Sequence, residues 1–225
     1  MDSPLRFEDR DDAGRRLGVA VRAAAEAQQW PAPVVLGLPR GGVPVAAHVA
    51  AALGAPLEVM LVRKIGVPWQ PELAVAAVAD GGQPVLVVDD EMLRITGTPR
   101  EHVQQALPAH WQEIERRRRA YLQGRPLLPL AGRTAVLVDD GLATGTTARA
   151  ALKALAARGA AKTVLALPVA PASEVVKLRQ EVDEVVCLSA PTAFGSVGEH
   201  YRDFWQTDDH EVVRLLAQAA QRQRA

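Results

Sequence analysis

Short β-branched runs bounded by glycine or acidic turns alternate along this chain with alanine-rich stretches of helical spacing. Residues 11–30 place Leu17, Val21, Ala24 and Ala25 on one side of a helix. Residues 34–38 read as a strand, Gly41-Gly42 as a turn, and 43–53 as a helix closed by Gly54. A second strand is expected over 57–62, and two more over 74–79 and 85–88, joined by the turn Asp80-Gly81-Gly82. Residues 99–123 predict a long, polar, arginine-rich helix, opened by Thr98-Pro99 and closed near Gly124. Strand 135–138 leads through a glycine loop to a helix over 147–158. Strands 164–169 and 185–188 finish the sheet, with a helix from about Ser173 between them. The segment 190–207 is irregular and holds Phe194, Tyr201, Phe204 and Trp205, and a last helix starts near Asp208-Asp209.

Strands that are apolar throughout and alternate with helices pack as a parallel sheet covered on both faces. The expected fold is therefore α/β, a doubly wound and mainly parallel sheet, in a single domain over residues 1–225. Ligands of such sheets bind beyond the carboxyl ends of the strands, so the loops that follow the strands are where chemistry is expected.

Composition adds limits. Hydrophobic residues make up 48% of the chain but aromatics only 4%, so the core must be built from Ala, Val and Leu. Lysine plus arginine number 26 and aspartate plus glutamate 26, which gives no net attraction to nucleic acid or an anionic membrane. The apolar stretches are too short and too often interrupted by charge to span a bilayer. Met1-Asp2-Ser3-Pro4 has no basic run followed by an apolar one, so a secretory leader is not expected. The one cysteine, Cys187, sits in an apolar run, which suits a buried thiol in a reducing cytoplasm.

The most informative stretch is residues 135–147, whose loop reads Asp139-Asp140-Gly141-Leu142-Ala143-Thr144-Gly145-Thr146-Thr147. A buried strand delivers two carboxylates at its tip, and a glycine–threonine loop then opens a helix. Glycines let backbone N–H groups converge on one point, the helix start supplies partial positive charge, and threonine hydroxyls add neutral donors. That is a cradle for a phosphate monoester. The carboxylates would repel the phosphate if they faced it, so a neighbouring pair of sugar hydroxyls is their economical partner. No lysine follows Gly145 and the glycines are four apart, which excludes the nucleoside-triphosphate and dinucleotide loops. An ordinary strand–turn–helix with an acidic cap is the plain alternative.

This string resembles the phosphoribosyl-pyrophosphate signature of the type I phosphoribosyltransferases. The resemblance implies that Asp139 and Asp140 hold the ribose hydroxyls of 5-phosphoribosyl-1-pyrophosphate while residues 141–147 wrap its 5′-phosphate. Two further loops are similar to the family's. Pro39-Arg40-Gly41-Gly42-Val43-Pro44 looks like its pyrophosphate loop, with Arg40 supplying charge and Gly41 and Gly42 exposing N–H groups. A cis peptide is expected near Pro39-Arg40 on the same ground. Arg63-Lys64, at the end of the second strand, resembles a pair whose lysine reaches the pyrophosphate, a solvated strand-end pair being the alternative.

The family further implies displacement at ribose C1 by a nitrogenous acceptor, with Mg²⁺ carried on the pyrophosphate rather than in a dedicated protein cage, and with Asp139 and Asp140 as candidates to help hold it. It also implies a lid and a hood, and suggests a homodimer. The insertion 99–125 stands where the family has its mobile loop, so the arginines at 116–119 are either a clamp or a solvated face neutralised by Glu113 and Glu115. The hood is expected in 190–207, where Phe194 or Tyr201 would stack on a planar acceptor or merely cap the sheet. Ala143 replaces the aspartate base of members acting on 6-oxopurines, which disfavours hypoxanthine and guanine.

Other motifs carry less. Residues 84–91 look like the opening of a receiver domain, but none of the lysines (Lys64, Lys153, Lys162, Lys177) precedes a proline as that fold requires. Gly195-Ser196-Val197-Gly198 is not a nucleophile elbow, and the histidines show no metal spacing. Two functions stay open: a transferase, or a non-catalytic module that senses the donor or a nucleotide. Arg40 and Lys64, needed for pyrophosphate rather than ribose phosphate, favour the transferase.

Overall fold

In the computed structural model, which describes residues 6–223, the apolar runs form two sheets rather than one. Met1-Asp2-Ser3-Pro4 lies outside the described residues. The chain runs α1 (Arg10–Gln28), β1 (Val34–Gly37), α2 (Gly42–Leu53), β2 (Leu57–Val59), β3 (Val62–Val67), β4 (Gln70–Asp80) and β5 (Pro84–Val88). It continues with α3 (Asp90–Thr96), α4 (Arg100–Leu122), β6 (Thr134–Val138), α5 (Thr146–Ala157), β7 (Lys162–Val169), α6 (Ala172–Leu178), β8 (Glu184–Ser189) and α7 (Asp209–Arg222). A 3₁₀ turn, Val197–His200, interrupts the irregular segment before α7.

The main sheet is five-stranded, ordered β2-β1-β6-β7-β8, and parallel throughout. Its strands alternate between two apolar layers because successive side chains in a strand point to opposite faces. Val136 and Val138 of β6 face the layer with Leu17 and Val21 of α1, Val49 of α2 and Leu216 of α7. Ala135 and Leu137 face the layer with Ala150 and Leu155 of α5 and Leu178 of α6. Small residues dominate both layers, as the scarcity of aromatics requires.

The expected strand over 57–62 is two strands. β2 ends at Val59, Met60 still donates its N–H to Gly37, and Leu61 then accepts from Asp80 of β4. The chain thereby leaves the main sheet and enters a three-stranded antiparallel sheet, β3-β4-β5. The runs 74–79 and 85–88 therefore belong to an antiparallel flap and not to the parallel sheet. Ala77 and Ala79 of that flap pack in the same apolar layer as α5, so burial on both faces made its strands read like central parallel ones.

Helix α3 was not anticipated. Its caps are local: the Asp89 carboxylate accepts from the Met92 N–H at 2.9 Å, and Gly97 ends it at φ 64°. Helix α4 matches the expected arginine-rich helix and is fastened by Arg118, whose guanidinium lies 3.1 Å from the buried Asp80 carboxylate.

Candidate active site

β1 and β6 are neighbours at the centre of the main sheet, with Gly37 opposite Val138, so the loops at their carboxyl ends emerge side by side. The Leu38 N–H donates to the Val138 carbonyl at 2.9 Å and fixes this junction. Topology alone thus brings residues 38–42 against Asp139 and Asp140. The contact is close enough to demand glycine. A Cβ on Gly41 would stand 2.0 Å from Oδ2 of Asp140, and one on Gly42 would stand 2.9 Å from Oδ1 of Asp139. Both glycines are therefore explained by packing against the acidic turn. The Gly42 N–H is engaged by the Leu38 carbonyl at 3.0 Å, which corrects the expectation that it faces a pyrophosphate. The Pro39-Arg40 peptide is cis, as expected from the resemblance.

The two carboxylates are not equivalent. Oδ1 of Asp139 accepts the Asp140 N–H at 3.0 Å, and burial, with the Asp140 charge beside it, pushes the Asp139 carboxyl well above the ordinary range. Asp140 is held by Arg10, the first residue of α1, whose Nε and Nη2 lie 2.8 and 2.7 Å from Oδ2. Nothing in the spacing of the chain joins Arg10 to a position 130 residues away, and sequence reasoning missed it.

Beyond the acids, residues 141–148 curl with Lys64 and Asp139 around a cavity of about 190 Å³. Gly145 caps α5 at φ 76°, a conformation that favours glycine, and the helix then rises from Thr146. Among the described residues, no protein acceptor takes the N–H groups of Thr144, Gly145, Thr146, Thr147 or Ala148. Five donors at a helix start, open to one cavity, suit an anion. The Leu142 N–H is different: it donates to Val169 and anchors the loop. Arg149 braces the outer side, donating to the Thr144 carbonyl at 3.0 Å and pairing with Glu174 and Glu181.

Lys64 and Arg63 part company, because neighbours on a strand face opposite ways. Lys64 lines the cavity. Arg63 points to α4, its Nε donating to His110 at 3.2 Å, and so is not placed with the phosphate loop. Its charge, after burial, lowers the His110 pKa. Arg40 reaches 3.9 Å from Asp209 of α7, and the same carboxylate accepts from the Tyr121 hydroxyl of α4 at 2.6 Å. The contacts of the arginines at 116–119 fit the neutralised face rather than a clamp: Arg116 and Arg117 pair with Glu113, whose carboxyl is thereby lowered to about 2, and Arg118 pairs with Glu115 and fastens to Asp80.

Tyr201 is a correction. Its ring is buried between Phe7 and Phe204, and its hydroxyl donates to the Asp140 carbonyl. It supports the acidic turn from beneath and offers no face to a planar ligand. Phe194 is half-buried and stacked on His200, with ring centroids 5.2 Å apart. Among the described residues no cluster of three or more His, Cys, Asp or Glu side chains could hold a metal, and no helix is long and apolar enough to cross a membrane.

A parallel sheet whose central strand tips carry a glycine loop and an acidic turn leading into a helix start is the architecture of the phosphoribosyltransferase class. The chain belongs to the phosphoribosyl transferase domain family, whose model matches residues 18–203. It is 48% identical over 213 residues to "Putative phosphoribosyl transferase Rv0571c" of Mycobacterium tuberculosis, covering 95% of this chain and 47% of the relative. It therefore spans about half the length of the curated relatives it matches. The crystal structure of TT1426 from Thermus thermophilus shares 40% identity and superposes with a TM-score of 0.80, covering 95% of this chain and 99% of that one. AQ2163 from Aquifex aeolicus, 11% identical with a TM-score of 0.52 over 84% of this chain and 78% of its own, shares the fold.

Proposed function

We propose that this chain binds 5-phosphoribosyl-1-pyrophosphate and transfers its phosphoribosyl group to a nitrogenous small-molecule acceptor, releasing pyrophosphate. The observation that carries the proposal is the row of five unpartnered amides at residues 144–148 around a cavity that Asp139 and Lys64 also line, with Asp140 next in the chain. The amides and the start of α5 take the 5′-phosphate, while Asp139 and Asp140 accept hydrogen bonds from the ribose hydroxyls. Lys64, across the cavity, and Arg40, at the neighbouring loop, hold the pyrophosphate. In the reaction a nitrogen lone pair forms a bond to C1, the C1–O bond breaks, and its electron pair leaves on the pyrophosphate. The proton released by the nitrogen goes to pyrophosphate or solvent.

The site fits a metal brought by the donor better than a resident one, because its two carboxylates stand without a third ligand among the described residues. Mg²⁺ bound with the donor would neutralise the pyrophosphate charge. The chain's own part is to orient C1, supply positive charge where the leaving group develops negative charge, and keep water out. Calorimetry with ribose 5-phosphate, followed by an assay for pyrophosphate release from the donor with a panel of nitrogenous bases and amines, tests the proposal. Binding with acceptor-dependent release supports it. Absence of binding removes the site, and binding without release from any acceptor converts the chain into a donor sensor.

A further inference from the structure

Arg10 joins the acidic turn to the segment 204–205. Two of its nitrogens meet Oδ2 of Asp140, Nη1 donates to the Trp205 carbonyl, and the guanidinium lies 3.9 Å over the Phe204 ring. The Arg10 and Asp140 side chains are only 13% and 14% exposed. Both bonds fall on the oxygen that also abuts Gly41, while Oδ1 has no hydrogen-bond partner among the described residues. A pair this enclosed contributes little net stability, since desolvation offsets its attraction. Its geometry instead selects one oxygen to be held and one to be presented.

We propose that Arg10 is a positioning residue for the phosphoribosyl donor. It locks Asp140 in one orientation, with Oδ1 turned to the sugar diol, and it ties that orientation to the backbone of Phe204-Trp205. The inference rests on the reading that Asp140 meets the ribose. It adds that the segment 204–205, at the end of the expected hood, sets how well the donor is held. A carboxylate freed from Arg10 would rotate and lose the preorganisation that makes a hydrogen bond to a hydroxyl favourable.

Titration calorimetry of the full chain and its Arg10→Gln and Arg10→Lys variants distinguishes the outcomes. Two probes are used separately: ribose 5-phosphate without metal, and inorganic pyrophosphate with Mg²⁺. Arg10→Gln is expected to weaken ribose 5-phosphate by about 10-fold, the scale of one lost charge-assisted interaction. Pyrophosphate, held in this reading by Lys64 and Arg40 and not by the Asp140 carboxylate, should lose clearly less, by less than about threefold. Arg10→Lys should recover most of the loss. If the wild-type chain takes no ribose 5-phosphate, the donor site itself is wrong. If wild type binds and Arg10→Gln binds as tightly, or loses both probes equally, the positioning role is overturned. Phe204→Leu provides a second route should Arg10→Gln fail to fold, because it removes the platform under the guanidinium at a partly exposed ring. A loss of about threefold confined to ribose 5-phosphate supports the proposal, and unchanged affinity overturns it.

Discussion

Replacing Gly41 by alanine measures how tightly the loop after β1 is fitted to the acidic pair. Gly41 has φ −63° and ψ −31°, which alanine adopts freely. On backbone grounds the change should therefore stabilise the fold by about 0.4–1 kcal/mol, through a smaller unfolded ensemble. The side chain opposes this. Its Cβ would stand 2.0 Å from Oδ2 and 2.8 Å from Cγ of Asp140, and 3.1 Å from Nε of Arg10. Non-bonded heavy atoms rest at about 3.5 Å or more, so the short carboxylate must leave its rotamer. Leaving it strands the enclosed Arg10 guanidinium without its acceptor, and an enclosed polar group left unsatisfied costs about 1–3 kcal/mol even where the intact pair adds little net stability. The balance predicts a net destabilisation of about 1–2 kcal/mol, read as the shift in urea midpoint at constant slope. Ribose 5-phosphate affinity should fall at least about 10-fold, because the displaced carboxylate no longer faces the diol. A variant as stable as wild type, or more stable, would show that backbone preference wins and that no such fit exists.

Three other perturbations address separate parts of the molecule. Gly145→Val places a β-branched residue at φ 76° with its Cβ 2.7 Å from Nη1 of Arg149, and should lower ribose 5-phosphate affinity by more than about 10-fold, measured by calorimetry. Unchanged affinity would remove the loop from the phosphate site. Arg158→Ala strands the Glu58 carboxylate, which is 2% exposed and would keep only the Leu128 N–H, and should cost about 3–5 kcal/mol in urea unfolding. A cost below about 1 kcal/mol would mean that water reaches Glu58. The chain has two tyrosines. Burial and the bond to Asp209 push Tyr121 up to about 12, and burial and the Asp140 charge raise Tyr201 as well. Both lie above the unfolded value of about 10, so their contribution to stability is complete below that pH and is lost as pH rises toward 12. Phenolate absorbance of the folded chain should stay flat through about pH 11, and a midpoint near 10 for either ring would contradict its burial.

The parallel sheet was legible because four of its five strands, the three-residue β2 excepted, are mostly apolar runs of four to eight residues closed by a glycine, proline or acidic turn. The turn from β4 to β5 at Asp80-Gly81-Gly82 was legible too, but their place in a separate sheet was not, for a reason of burial. Val75, Ala77 and Ala79 are as enclosed as any central strand, so periodicity could not distinguish a second sheet packed between α4 and α5 from further strands of the main one. The break at Met60-Leu61 is equally silent, since both residues are apolar and buried and only their hydrogen-bond partners change sheet. Helix α3 was readable in principle from Asp89 and Gly97, yet seven residues give too few turns for a periodic pattern.

The candidate site shows a sharper division. The residues proposed to touch the ligand could be named from motif alone, because a phosphate cradle needs glycines, threonines and a helix start in a fixed local order. The groups that neutralise and orient those residues obey no local order. Arg10 meets Asp140 from 130 positions away, and Asp209 meets Arg40 from the opposite end of the chain. Two adjacent carboxylates in a half-buried turn repel one another, and an arginine beside a glycine loop is costly to dehydrate alone. Each therefore requires a counter-charge that the fold must deliver from elsewhere. Here α1 delivers one and α7 the other. Both helices pack on the same face of the main sheet with α2 between them, so the charge balance of the site depends on one apolar layer that holds Leu17, Val21, Val212 and Leu216. Loosening that layer would disturb the acidic pair and the pyrophosphate loop together, although none of its residues reaches the groove.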